Sequence, residues 1–228
     1  MKELTVKRNK IPYEAAEEMK SLRSTINLSG VDKKVIMITS CFSDEGKSSL
    51  SLELAWSMAE IGKRVLVIDT DLRRSKMANK VSKGTIEYGL TNYLAGHIDI
   101  TECFYRDVEN NIYIIPAGDT PPNPAELLTT KQIKTLIEKC REVYDYIIVD
   151  TSPIGLVSDC MPIASFCDTS ILLLQQGRVS RKFAKETLEK LQGLNCPVLG
   201  AIINKYDRKK DGYKYYGKYG KYEQYYKK

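Results

Sequence analysis

Six short, strongly apolar runs punctuate this chain: VIMIT at 35–39, RVLVID at 64–69, NIYIIPAG at 111–118, YDYIIVD at 144–150, TSILLLQ at 169–175 and PVLGAIIN at 197–204. A strand with one wet face alternates polar and apolar residues, and these runs do not. They read as strands buried on both faces, the condition of a parallel sheet covered by helices on either side. Helical stretches fill the gaps, at 47–61, from the proline-rich 118–128 loop to about Glu142, and at 180–192. Residues 13–28 form an amphipathic helix with Ala15, Met19, Leu22 and Ile26 on one face, and 89–105 is helical in part. The expected fold is α/β and doubly wound, with a mainly parallel sheet of about seven strands in one domain. Such sheets bind ligands at the carboxyl ends of their strands. The residues just after 39, 68, 149 and 203 are therefore where chemistry should lie.

The chain has 228 residues, 43% apolar and 28% charged, enough for a sizeable core and ordinary for a globular domain. No apolar run approaches the roughly 18 residues of a membrane helix, and the N-terminal residues lack the apolar stretch of a signal peptide. A cytoplasmic location is expected. The six cysteines contain no CxxC pair, so buried free thiols are expected. The single histidine, His97, makes a His/Cys zinc site a poor reading and is itself read as a surface or turn residue. Trp56 and the Tyr144/Tyr146 pair are read as packing residues.

The net charge of +6 is concentrated at one end. Residues 206–228 carry eight Lys/Arg against three acids, +5, and leave the remaining 205 residues at +1. The same segment holds eight of the fifteen tyrosines and no Leu, Ile, Val, Met or Phe. It cannot bury enough apolar surface to offset its ordering entropy, so disorder is expected after residue 205. A solvated cationic tail touching lipid or nucleic acid would explain the lysines. It would not explain why tyrosine fills the gaps between them, although base stacking on aromatic rings is one way to use such a pattern.

The strand ends carry three motifs. After 39 comes TSCFSDEGKSS, in which Gly46-Lys47-Ser48 opens a helix. It matches the phosphate-binding GxxxxGK[ST] pattern except that Cys41 occupies the first glycine position. In this setting the backbone N–H groups of Ser43, Asp44, Glu45, Gly46, Lys47, Ser48 and Ser49 can cradle phosphate. Lys47 would reach the β/γ-phosphates and the Ser48 hydroxyl would meet Mg²⁺. After 68 comes Asp69-Thr70-Asp71-Leu72-Arg73, two carboxylates at i and i+2. Turn chemistry alone could place them there; a metal-bound carboxylate beside a base is the functional alternative. After 149 comes Asp150, a single carboxylate delivered by a buried strand to the metal shell. Together the three point to nucleotide binding. Tyrosine has a pKa of about 10, so an acceptor tyrosine needs a carboxylate to take its proton as attack proceeds, a task open to Asp69 or Asp71. Lys47 and the metal would spread charge on the transferring phosphoryl group.

These residues resemble the bacterial tyrosine kinases (BY-kinases) that regulate capsule and exopolysaccharide synthesis, P-loop proteins related to the ParA/MinD ATPases. The resemblance covers nearly the whole chain: CFSDEGKS at 41–48, VLVIDTDLR at 65–73, Asp150 with Thr151-Ser152-Pro153 in place of the usual Thr-Pro-Pro, PNPAELL at 122–128, and the tyrosine cluster at 213–226. It implies a kinase that uses ATP and Mg²⁺, held by Lys47 and Ser48. Asp71 and Asp150 would serve the metal, Asp69 would act as base, and Asn204 stands where related ATPases often read adenine. It implies autophosphorylation in trans on Tyr213, Tyr215, Tyr216, Tyr219, Tyr222, Tyr225 and Tyr226. A 23-residue flexible tail spans about 25–30 Å on average and at most about 80 Å, enough to reach a neighbour. The family's Glu-x-x-Arg-x-x-Arg oligomerisation motif reads Glu17, Lys20, Arg23 here. Lysine at the first arginine place loses bidentate pairing, so a ring-like, octamer-like assembly is expected to be weaker or differently held. The resemblance further implies a separate membrane adaptor with a cytoplasmic C-terminal segment that brings the kinase to the inner face of the membrane, and a cognate phosphotyrosine phosphatase. It implies no nucleic acid. The rival reading is a ParA/MinD-like ATPase switch that binds DNA or membrane through its basic tail. Those relatives carry an extra lysine four residues before Gly46, where this chain has Phe42.

Overall fold

The computed structural model describes residues 1–30 and 32–207. The seven tyrosines from Tyr213 to Tyr226 that are expected as acceptors, and the disorder expected of their segment, lie outside the described residues. Nine strands form one sheet: β1 (Lys2–Val6), β2 (Val35–Ser40), β3 (Val65–Asp69), β4 (Val81–Lys83), β5 (Tyr105–Asp107), β6 (Ile112–Ile115), β7 (Tyr146–Asp150), β8 (Thr169–Gln175) and β9 (Val198–Asn204). Their order is β4-β1-β5-β6-β3-β7-β2-β8-β9. Pairs β1–β4 and β5–β6 are antiparallel and the others parallel.

The expected count of about seven is thus too low for the described residues. The strands without a sequence signal are β1 (KELTV), β4 (VSK) and β5 (YRD), short and charge-bearing at one side of the sheet. They pair through their backbones without an apolar run to betray them. The central strands are as the sequence implies: every residue of β2 and β3 is buried.

Helices cover both faces: α1 (Tyr13–Leu28) and α2 (Lys47–Ala59) on one, with α3 (Leu90–Leu94), α5 (Lys131–Val143), α6 (Met161–Ala164) and α7 (Arg181–Gln192) on the other. Alternate residues of β2 feed the two sides. Val35 and Met37 join one apolar cluster, Ile36 and Ile38 the other. Fully burying a side chain of this size contributes roughly 1.5–3 kcal/mol. α2 is buried almost all round because α1 lies across it. Ile26 of α1 is buried in the shared cluster with Met19 and Leu22 against it, while Ala15, expected on the same face, is exposed. The helix expected to run from the proline-rich loop to Glu142 is two, α4 (Pro124–Leu127) and α5. The Thr129 and Thr130 hydroxyls donate to the Glu126 and Leu127 carbonyls at 2.7 and 2.8 Å, ending the first helix with local hydrogen bonds. All six cysteines are buried free thiols, and among the described residues no helix is long and apolar enough to cross a membrane.

Candidate active site

Because β3, β7 and β2 are neighbours and run in parallel, their carboxyl ends lie side by side. Asp69 and Asp150 are register partners across β3 and β7. The 41–46 loop leaves β2 next to them and leads into α2 at Lys47.

The loop is held from several directions. Gly46 has φ +104°, a backbone region that disfavours any side chain, and a Cβ there would collide with the Asn204 amide. Leu50 N–H already donates to the Gly46 carbonyl at 2.9 Å, so the helix starts at this glycine. The Glu45 side chain turns inward. It is fully buried, with Oε2 accepting from Phe42 N–H at 2.8 Å and Oε1 accepting from Gln175 N–H at 3.0 Å. It ties both ends of the loop to the tip of β8 and leaves only its backbone for phosphate. Asn204, at the end of β9, donates from Nδ2 to the Glu45 carbonyl at 2.8 Å and accepts from Lys205 N–H at 2.8 Å. In this structure its amide buttresses the loop. Opposite, Gly155 lies so near the Cys41 carbonyl that a Cβ would overlap it. The segment after β7 therefore packs backbone to backbone against the first loop position.

The remaining loop residues divide by exposure. Ser43 and Ser48 are partly exposed, Asp44 and Ser49 exposed, and Lys47 buried at the helix start. Asp44 pairs with Lys76, whose hydrogen bond, offset in part by burial, holds its carboxyl below the usual range. Ser49 Oγ accepts from Lys80 Nζ at 2.9 Å, on the outer side of α2.

The carboxylates are packed closely enough to act on one another. Burial raises the Asp150 pKa to about 6, against the opposing pull of Lys47 and Ser48, and Asp71 pushes it further up. Burial, then the charge of Asp150, raises Asp69 well above the ordinary range, countered by the Ser75 hydroxyl that donates to its Oδ2 at 2.5 Å. Asp69 Oδ1 accepts from Asp71 N–H at 3.0 Å, which fixes the turn carrying both acids, and Asp71 Oδ1 accepts from Arg74 N–H at 3.2 Å. Ser51 Oγ donates to Asp150 Oδ1 at 3.3 Å, while Asp150 Oδ2 is buried with no hydrogen-bond partner. A buried carboxylate oxygen with no donor, beside two further acids, fits a divalent cation: all-oxygen donors suit Mg²⁺, and its charge would relieve the repulsion.

Sequence reasoning missed several supports. Asp159, buried, accepts a forked pair from Arg73, with Nη2 at 3.1 Å from Oδ1, and so locks the Asp69–Arg73 turn to the segment after β7. Ser75, Ser51 and Gln175 had no spacing signal. A cleft of about 480 Å³ opens beside this turn, lined by Arg74, Ser75, Lys76, Asp119 and Thr120 among others. The proposed oligomerisation residues sit on α1. Glu17 and Lys20 pair with each other at 2.6 Å on the surface, but Arg23 donates to the Ser57 carbonyl of α2 at 2.6 Å and is engaged within its own chain.

Comparisons with known proteins agree with this architecture. The family profile described as an AAA domain matches residues 33–192. A tyrosine-protein kinase CpsD of Streptococcus agalactiae is 39% identical over 206 residues, covering 90% of each chain. The solved structure of the kinase domain of the Escherichia coli tyrosine kinase ETK superposes with a TM-score of 0.82 at 29% identity, over 92% of this chain and 86% of that one. The cell-division ATPase MinD of Pyrococcus furiosus shares the fold, with a TM-score of 0.66 at 21% identity over 77% of this chain and 73% of its own. A nucleotide-binding loop opposite three strand-end carboxylates, on a sheet shared with these proteins, makes this chain a member of the bacterial tyrosine-protein kinase family of P-loop proteins.

Proposed function

We propose that the chain transfers the γ-phosphoryl group of ATP to tyrosine hydroxyls in its own C-terminal cluster, on a neighbouring subunit, and that it serves capsular or exopolysaccharide synthesis. The observation that carries the chemistry is the convergence of Lys47, Asp69, Asp71 and Asp150 at adjacent strand ends, with one buried carboxylate oxygen of Asp150 left without a donor. Backbone N–H groups of the 43–49 loop would hold the phosphates, and Lys47 would neutralise charge on the transferring group. Ser48, Asp71 and Asp150 would hold Mg²⁺, which when bound supplies Lewis-acid stabilisation of that charge. Asp69, whose affinity for a proton is raised by its surroundings, is suited to accept the tyrosine proton. The cleft lined by Ser75, whose hydroxyl bonds that acid, is the side from which an acceptor would come. The tyrosine spacing of the tail supports acceptor use over a purely cationic one.

A ring-like, octamer-like homo-oligomer through Glu17, Lys20 and Arg23, recruitment to the inner membrane face by an adaptor, and removal of phosphate by a cognate phosphatase complete the reading. They rest on the family resemblance. The test is incubation of purified protein with ATP and Mg²⁺ followed by mass spectrometry of the tail. Phosphate on residues 213–226 of the parent and none on Lys47→Met is expected. Equal modification of both would assign the activity to a contaminant.

A further inference from the structure

Beside the phosphate loop lies a surface that the transfer chemistry does not use. Phe42 of the loop stacks on Phe183 of α7, centroids 4.8 Å apart and planes 13° from parallel. The Arg178 guanidinium lies over the Phe42 ring, 5.8 Å from its centroid. Both rings are partly exposed and Arg178 is exposed. Among the described residues Arg178 has no ion pair. The nearby acid Asp44 is already taken by Lys76, and Arg178 acts on it only at longer range. Arg181 and Lys182 are exposed beside the stack, with Lys182 only loosely paired to Glu186 at 4.0 Å. An unpaired guanidinium against a pair of aromatic rings, with further cations around it, is the chemistry that recognises an aromatic ring bearing a phosphate. The fork takes phosphate oxygens and the ring finds an aromatic partner.

The described chain ends at this surface. Asp207 N–H donates to Gln176 Oε1 at 2.5 Å, and Gln176 precedes Arg178 by two residues. Lys205 Nζ donates to the Asp44 carbonyl at 3.2 Å and to Gln175 Oε1 at 3.0 Å, so the exit is tied to the loop as well. Twenty-one residues follow Asp207, and Tyr213 is the sixth of them. Six residues reach about 20 Å when extended, well beyond the distance two residues can span. We infer that the Arg178–Phe42–Phe183 surface binds a phosphotyrosine of the chain's own tail, folding the modified tail back beside the phosphate loop. Unmodified, the tail carries +5 and is repelled by these cations. Each phosphate adds about −1.5 to −2, so a few modifications reverse the sign of that interaction. The surface thus reads the product of the reaction and keeps a modified tail from serving again as acceptor. This rests on the tail being the acceptor, but its test needs no transfer.

The experiment uses the full chain carrying Lys47→Met, so that its own tail stays unmodified, and a labelled synthetic peptide of residues 208–219 phosphorylated at Tyr213, Tyr215 and Tyr216, read by fluorescence anisotropy. The phosphotyrosine peptide is expected to bind at least tenfold more tightly than the unmodified peptide. Arg178→Ala should weaken it at least tenfold and Arg178→Lys less, both variants melting as the parent does. Phe183→Leu should weaken it while leaving the apolar contact filled. A peptide with phosphoserine at the three positions binding as well as the phosphotyrosine peptide overturns the inference, since charge alone would then suffice. Binding that survives Arg178→Ala but is displaced by ATP with Mg²⁺ also overturns it, by placing the phosphate in the nucleotide loop. Binding with no autophosphorylation in the parent would sink the kinase reading and leave this surface standing.

Discussion

Glu45 is the residue on which the shape of the phosphate loop depends most, and Glu45→Gln tests that dependence. The two carboxylate oxygens accept backbone N–H groups from Phe42 and Gln175 at 2.8 and 3.0 Å in a site with no exposure. Glutamine keeps the shape and one acceptor. Its NH₂ must face one of the two N–H groups, which loses a hydrogen bond to a charged group and leaves a buried donor unpaired. Hydrogen bonds to charged groups contribute about 1.5–3 kcal/mol and an unsatisfied buried group costs about 1–3 kcal/mol. Some relaxation is expected, so a net loss of about 2–3 kcal/mol is the working figure. For a chain of this size that lowers Tm by about 5–10 °C. Urea unfolding of nucleotide-free protein measures it. Because the bonds hold the loop, affinity for a fluorescent ATP analogue should fall at least tenfold in the same variant. A stability change within 0.5 kcal/mol together with unaltered nucleotide affinity would refute the reasoning, and would mean that the two Glu45 hydrogen bonds do not hold the loop in solution.

Gly155→Ala must push the Cys41 carbonyl away, so a loss of about 1–3 kcal/mol is expected by urea unfolding, with weaker nucleotide binding. Asp150 holds its proton up to a pH of about 6, above the usual carboxylate value. Its contribution is therefore fully favourable below about pH 4 and is lost as pH rises through about 6, by about 3 kcal/mol at the limit. Nucleotide-free Asp150→Asn should gain stability over the parent between pH 4 and 7 in paired melting curves; parallel curves would sink the coupling. Arg23→Ala removes a hydrogen bond to the Ser57 carbonyl and should lower stability by about 1–1.5 kcal/mol even in protein kept monomeric by dilution. An effect seen only on assembled protein would instead make Arg23 purely an interface residue.

The parts of this fold that announce themselves are those buried on both sides. β2, β3 and β7 are apolar because helices cover both faces, and their ends carry the motifs, so the sheet centre and Lys47, Asp69, Asp71 and Asp150 were legible. β1, β4 and β5 were not, because backbone pairing at the side of a sheet asks little of side chains. The part played by the Glu45 side chain was not legible either: a loop motif gives the residue type but not which way a side chain turns, and this one turns toward β8. Asp159 stands 86 residues from Arg73, and no local pattern links them. Arg23 lies at the motif position for assembly, yet its first partner is the helix beneath it.

The central claim is that phosphoryl transfer takes place where β2, β3 and β7 end together. A crystal structure of the full chain with a non-hydrolysable ATP analogue and Mg²⁺ tests it most directly. The account predicts the γ-phosphate against Lys47 and the 43–49 backbone, with the metal bound by Ser48 and within the reach of Asp71 and Asp150. A nucleotide bound elsewhere, or a metal with no contact to those acids, would contradict it.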